Sequence, residues 1–134
     1  TLETYGNVNT ANSLLAIKKC VFEEKRIGQD TLMKALDNDF RGYEEVQKLL
    51  LDAPKYGNDD DEADAMAVDL HEYLCTLVRD QKEKTSLHSY LVVIINNKAN
   101  TQVGQFTGAS ADGRNSGIFW PTPTPLWAVQ TKRA

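Results

Sequence analysis

The 134-residue chain is poor in residues that cross-link a fold or carry it through a bilayer. It has two cysteines and four prolines, and no apolar run reaches the roughly 18 residues that a membrane helix needs. Cys20 and Cys75 stand far apart, with no second thiol or paired histidine at metal spacing. Neither a disulfide framework nor a zinc site is expected, and both thiols read as reduced, buried side chains. No charged start and cleavage site marks a signal peptide, and the chain opens on Thr1 instead of Met. The expectation is a soluble cytoplasmic protein in which residues before Thr1 were lost or never included. An excess of base is missing as well: 15 Lys and Arg stand against 19 Asp and Glu, for a net charge of −4. The basic residues are scattered, which argues against a nucleic-acid surface. Internal repeats and low-complexity tracts are absent.

What is present suits one globular domain, with 41% hydrophobic and 25% charged residues. Leu14, Leu15, Ile17, Val21 and Phe22 recur at helical spacing after Asn9, Thr10 and Asn12, any of which can cap, so a first helix is predicted over about 12–25. Gly28 breaks it. A second helix opens at Asp30 or Thr31 and carries Leu32, Leu36 and Phe40, and a third follows Gly42 with Val46, Leu49, Leu50 and Leu51. After Pro54 and Gly57, a long amphipathic helix is predicted from Asp60 to about Glu83, with Ala63, Met66, Val68, Leu70, Leu74, Leu77 and Val78 on or beside one stripe. Residues 89–97 then read as a β-branched strand, apolar on both faces, of the kind buried inside an α/β fold. Its partner is sought around 101–107, which leaves its edges unpaired in an isolated chain. The segment 107–114 reads as a loop of small residues with an Asp-Gly turn.

The candidate chemical clusters resolve into structural readings. The acids Asp59, Asp60, Asp61, Glu62 and Asp64 lack the alternate spacing, central glycine and distal glutamate of a calcium loop. At the start of a long helix they cap amides and meet the positive dipole end, each contributing about 0.3–1 kcal/mol. His71 and His88 have no serine or cysteine partner in recognisable local context and read as solvated or core-edge side chains. Lys18, Lys19, Glu23, Glu24, Lys25 and Arg26 alternate in sign as a solvated helix face with i,i+4 pairs. No catalytic site and no metal site emerges.

Four collinear motifs over about 7–117 resemble the glycyl radical enzymes. NVNTANSLLAIKKCVF at 7–22 is similar to the family's DSLAAIKKLVFE helix, with Cys20 where leucine is usual. APKYGNDDD at 53–61 matches the family signature through Tyr56, Gly57, Asn58, Asp59, Asp60 and Asp61, preceded by Tyr43-Glu44-Glu45. Asn96-Asn97-Lys98-Ala99-Asn100-Thr101 and TGASADGR at 107–114, with Gly108, Asp112, Gly113 and Arg114, follow in family order.

The resemblance implies an α/β fold. The chain would be a mostly helical slice, with three short helices, one long helix and one buried strand, of a ten-stranded α/β barrel. In that family a radical-SAM activase installs a glycyl radical, which is passed to a cysteine. The family's cysteine loop lies upstream of the matched region and its radical-glycine motif downstream, and Cys20, Cys75, Gly104, Gly108, Gly113 and Gly117 match neither. The expectation is therefore an interior fragment, inactive alone, without cofactor, membrane or nucleic acid. Its partners would be the rest of the barrel and, for the parent, the activase.

The strand end resembles the arylacetate decarboxylase, benzyl- or alkylsuccinate synthase, and choline or diol lyase branches more than pyruvate formate-lyase proper. Asn96 or Asn97 would there orient a polar substrate group or pin the turn. Arg114 could bind a carboxylate, but a loop contact with Asp112 is the more economical role. The alternative is a small autonomous helical interaction module, recognisable by a cooperatively melting monomer.

Residues 1–118 are read as partial family domain and 119–134 as a tail outside it, extended or disordered. Read two bases late, the tail codons permit LANANTPVGGADKKG, which is family-like. One lost base near the codons of Ile118 and Phe119 accounts for this. Sequencing the gene is expected to reveal that lesion; an uninterrupted template encoding 120–134, with no in-frame continuation in relatives, overturns it.

Overall fold

The computed structural model describes residues 2–86, 92–94 and 98–118. Strand β1 (Leu2–Thr4) leads into helix α1 (Asn7–Ile17), which widens into a π-helical turn at Lys18–Glu23. Helices α2 (Gln29–Asp37), α3 (Glu44–Asp52) and α4 (Asp61–Asp80) follow, then a short 3-10 turn, strand β2 (Val92–Ile94) and helix α5 (Lys98–Gln105). Among the described residues no helix is long and apolar enough to cross a membrane.

Helix α1 begins five residues before the predicted start. Left-handed Gly6 supplies its first carbonyl, which accepts from Thr10 N at 2.9 Å. Asn9 and Asn12 are therefore internal and buried, and their amides serve distant segments instead of capping their own helix. At the other end Glu24 N reaches back five residues to Lys19 O at 2.8 Å, the wide π turn that holds one extra residue. That extra residue changes the charge pairing expected at i,i+4. Lys18 Nζ lies 3.3 Å from Glu23 five residues on, and both Lys18 (2.7 Å) and Lys19 (2.6 Å) reach Glu62 on α4.

β1 and β2 pair in parallel, with Leu2 opposite Val92 and Thr4 opposite Ile94. Thr4 Oγ1 also donates to Val93 O at 3.2 Å. The expected partner at 101–107 is instead mostly helix, since α5 covers Lys98–Gln105. A parallel pair needs a long crossover, and α1 to α4 supply it. The partner at the chain start was not legible because three residues are too few for an alternation pattern. The outer parts of the predicted 89–97 strand lie outside the described residues.

The core gathers Ala16, Cys20, Val21, Ile27, Leu32, Ala35, Phe40, Leu50, Ala53 and Ala111. Asp39 and Phe40 both take left-handed backbone, and Phe40 N closes the α2 end on Ala35 O at 2.7 Å. Such a residue costs about 1–3 kcal/mol, which burial of the Phe40 ring, worth about 1.5–3 kcal/mol, offsets. Cys20 is buried, and burial pushes its thiol up. Cys75 is only half-buried, a correction to the expectation for both thiols.

Helix α4 ends at Asp80, with the 3-10 turn at Lys82–Lys84 taking over. It packs on α1 yet buries only Ala63 fully, while Val68, Tyr73 and Leu77 remain 54%, 61% and 42% exposed.

The α1–α4 ion cluster has a defined pH window. Lys18 and Lys19 hold the Glu62 carboxyl below its ordinary value, and Glu62 holds both ammonium groups above theirs. A depressed acid stabilises the fold above its unfolded pKa, about 4.3, and the contribution disappears as pH falls through the lower folded value. Glu62→Gln is therefore expected to lower the denaturant midpoint at neutral pH, and the difference from the unsubstituted chain is expected to shrink as pH falls below the unfolded value. A difference undiminished in acid removes the ion cluster as its cause.

Candidate functional site

Two of the four family-like motifs lie on irregular segments, and both turn their polar groups inward. In the first, at 53–61, α3 ends at Asp52 and leaves carbonyls without helical partners. Lys55 folds back over them: its buried Nζ donates to Leu50 O at 2.6 Å, Leu51 O at 3.2 Å and Ala53 O at 2.8 Å. A cation at the negative end of a helix dipole is favoured there. The sequence offered one clue to this role, a lysine shortly after the apolar run of α3.

Tyr56 N donates to Asn12 Oδ1 at 2.9 Å, which ties the turn to α1. Gly57 and Asp59 take left-handed backbone, and Asn58 Nδ2 donates to Lys55 O at 3.3 Å. Asp60 Oδ1 then accepts from Ala63 N at 3.0 Å and caps α4, with Asp61, Glu62 and Asp64 in its first turn. The acids thus serve the helix start.

The second segment, 107–118, is organised around buried Asp112 and Arg114. Asp112 Oδ1 accepts from Ser110 Oγ at 2.7 Å and from Arg114 N at 3.3 Å, while Oδ2 accepts from Asn9 Nδ2 at 2.7 Å. The Arg114 guanidinium donates to Ser110 Oγ and to the carbonyls of Gly108, Asn115 and Ile118. The anticipated Asp112–Arg114 contact runs through the backbone amide of Arg114, not its side chain. Burial pulls the Arg114 pKa down, and the charges of Asp112 and Asp39 partly restore it. Most of its N–H groups are committed to loop carbonyls, so its fork is not directed at an external carboxylate.

The loop is docked from two further sides. Gln47 Nε2 donates to Gly113 O at 2.9 Å and Asn115 Oδ1 at 2.7 Å, and Ser116 N donates to Asp39 Oδ1 at 2.7 Å. Gly113 has φ +93°, and a Cβ there would stand 2.6 Å from Leu51 Cγ.

An open cavity of about 290 Å³ lies between α1, the first motif and α4, lined by Asn7, Val8, Tyr56, Val68 and His71 among others. His71 Nε2 is 3.5 Å from Cys75 Sγ. The local partner that sequence reading denied to this histidine is thus one helical turn away, and H-x-x-x-C spacing was the signal. Asn96, Asn97, His88 and the tail 119–134 lie outside the described residues. Among the described residues no three His, Cys, Asp or Glu side chains converge as a metal cluster. The arrangement is a scaffold that fixes two loops against one helix.

The pyruvate formate lyase-like family matches residues 1–104. An isethionate sulfite-lyase of Desulfovibrio desulfuricans is 50% identical over 68 residues, 51% of this chain and 8% of that protein. The trans-4-hydroxy-L-proline dehydratase of Clostridioides difficile is 38% identical over 114 residues, 84% of this chain and 14% of that protein. Among solved structures, the glycerol-bound B12-independent glycerol dehydratase from Clostridium butyricum superposes with a TM-score of 0.76 at 34% identity. That match covers 96% of this chain and 17% of the dehydratase. The chain thus spans less than a fifth of these relatives.

Gly113→Ala is expected to destabilise the fold by about 2–4 kcal/mol, combining left-handed strain with overpacking against Leu51. Chemical denaturation measures it, and a change within about 0.5 kcal/mol, the scale of an ordinary surface substitution, contradicts the close approach.

Proposed function

The chain belongs to the pyruvate formate lyase-like family, the glycyl radical enzymes, and on that premise we propose that it is an interior slice of such an enzyme's large subunit, inactive by itself. One observation carries this reading: the surfaces left open are those a barrel covers. β1 and β2 form a parallel pair with no third strand among the described residues, and parallel sheets are otherwise buried on both faces. Tyr73 and Leu77, one turn apart on α4, form an exposed apolar strip, 61% and 42% accessible. An autonomous helical module would turn that stripe into its own core. Residues 1–118 contribute helices and two neighbouring strands to the barrel wall, while 119–134 form an out-of-frame tail.

The parent's reaction is a radical elimination that breaks a C–O or C–S bond of a small polar substrate. The names of the three relatives described above support this, since two are dehydratases and one is a sulfite-lyase. Asn96 and Asn97 are the residues of this slice assigned to substrate, at the end of the segment that contains β2. The glycyl radical, installed by a radical-SAM activase, and the cysteine it serves belong to other parts of the cytoplasmic parent. This slice supplies position and shielding, which radical chemistry takes from its protein.

Anaerobic incubation of the purified chain with a family activase, S-adenosylmethionine and a reductant is expected to yield no glycyl radical signal by electron paramagnetic resonance. Its unfolding midpoint is expected to be low and to rise when the flanking chain is present. A glycyl doublet assigned to this chain overturns the slice reading, as does a stable monomer whose midpoint the flanking chain leaves unchanged; the latter favours the autonomous module.

A further inference from the structure

His71 and Cys75 lie one turn apart on the half-buried side of α4, with Nε2 and Sγ 3.5 Å apart. From this geometry we propose a two-ligand site for a thiophilic divalent cation of the zinc group, Zn²⁺ or Cd²⁺, at His71 and Cys75. A tetrahedral zinc with Zn–S of about 2.3 Å and Zn–N of about 2.0–2.1 Å holds its two ligand atoms about 3.5–3.6 Å apart. The pair already stands at that separation, so binding requires little movement of either side chain. Side chains at i and i+4 share one helix face, the spacing by which metalloprotease helices present paired histidines to zinc.

The ligand chemistry selects the ion. A thiolate and an imidazole favour Zn²⁺ or Cd²⁺ over the hard cations Ca²⁺ and Mg²⁺, which take oxygen. On binding, the Cys75 S–H proton is released to solvent as the metal–sulfur bond forms, and neutral His71 donates its Nε2 lone pair. The oxidation state of every atom is unchanged. His71 Nδ1 is shut off from water and has no hydrogen-bond partner among the described residues. No carboxylate or carbonyl therefore fixes the ring tautomer or strengthens the ligand, which places the site among weak ones. With no third converging ligand among the described residues, water completes the coordination. Both side chains are half-buried, not sealed in the core, which leaves the pair within reach of a dissolved ion. The site does not depend on the slice reading, because both ligands come from one helix.

Titration of the reduced full chain with Cd²⁺, in buffer containing excess Mg²⁺, is expected to give one equivalent and the ultraviolet charge-transfer band of a cadmium–thiolate. Cys75→Ser should abolish the band, and His71→Ala should weaken binding by at least about tenfold, the loss that even an outer-shell partner gives. Cys20→Ala should leave both intact. Cys75→His, which keeps two ligands one turn apart, should retain one Zn²⁺ equivalent without the band, and circular dichroism confirms that each variant keeps its helix content. A band that survives Cys75→Ser, or an affinity unchanged in His71→Ala, overturns the site.

Discussion

The 2.7 Å hydrogen bond from Asn9 Nδ2 to Asp112 Oδ2 joins residues 103 apart and ties the first helix to the last described loop. The remaining structure depends on the constraint it expresses: two irregular segments lie against the core, and every buried polar group in them needs a partner. Asn9 and Asn12 answer from α1, Gln47 from α3, and Lys55 and Arg114 from within the segments themselves. Removing one partner leaves a desolvated group, which costs more than the hydrogen bond gains.

This constraint explains why residues with the chemistry of catalysis are spent on architecture. Arg114 is an anion binder by type, yet its donors face the carbonyls of its own loop. Lys55 neutralises a helix end, and the acids after it open the next helix. Outside this network, His71 and Cys75 stand together on the half-buried side of α4. Ions at the other end of the same helix, Glu62 with Lys18 and Lys19, join α4 to α1 at the surface, where screening keeps such pairs modest.

Much of the fold was legible because helical periodicity is local. The second, third and long helices lie close to their predicted spans, and the acid-rich start of α4 was recognisable from cap and dipole chemistry. The first helix was misjudged because asparagines that look like caps were partners for remote groups. β1 was missed because three residues carry no pattern, and 101–107, helical as far as Gln105, was misread because a polar helix on one flank of a strand resembles a strand partner when only composition is considered. The His71–Cys75 pair was present in the spacing but becomes chemical only when the helix sets both side chains on one face.

The sequence by itself determined the family, the helical segments and the start of α4, because motifs and periodicity are properties of neighbouring residues. Only the tertiary structure decided which groups those residues serve. Asn9, Asn12, Lys55 and Arg114 act on atoms brought near by folding, and no local pattern records where a buried carbonyl or amide will need its partner. The parallel pairing of residues 2–4 with 92–94 belongs to the same class, since its register depends on the path of the four helices between them.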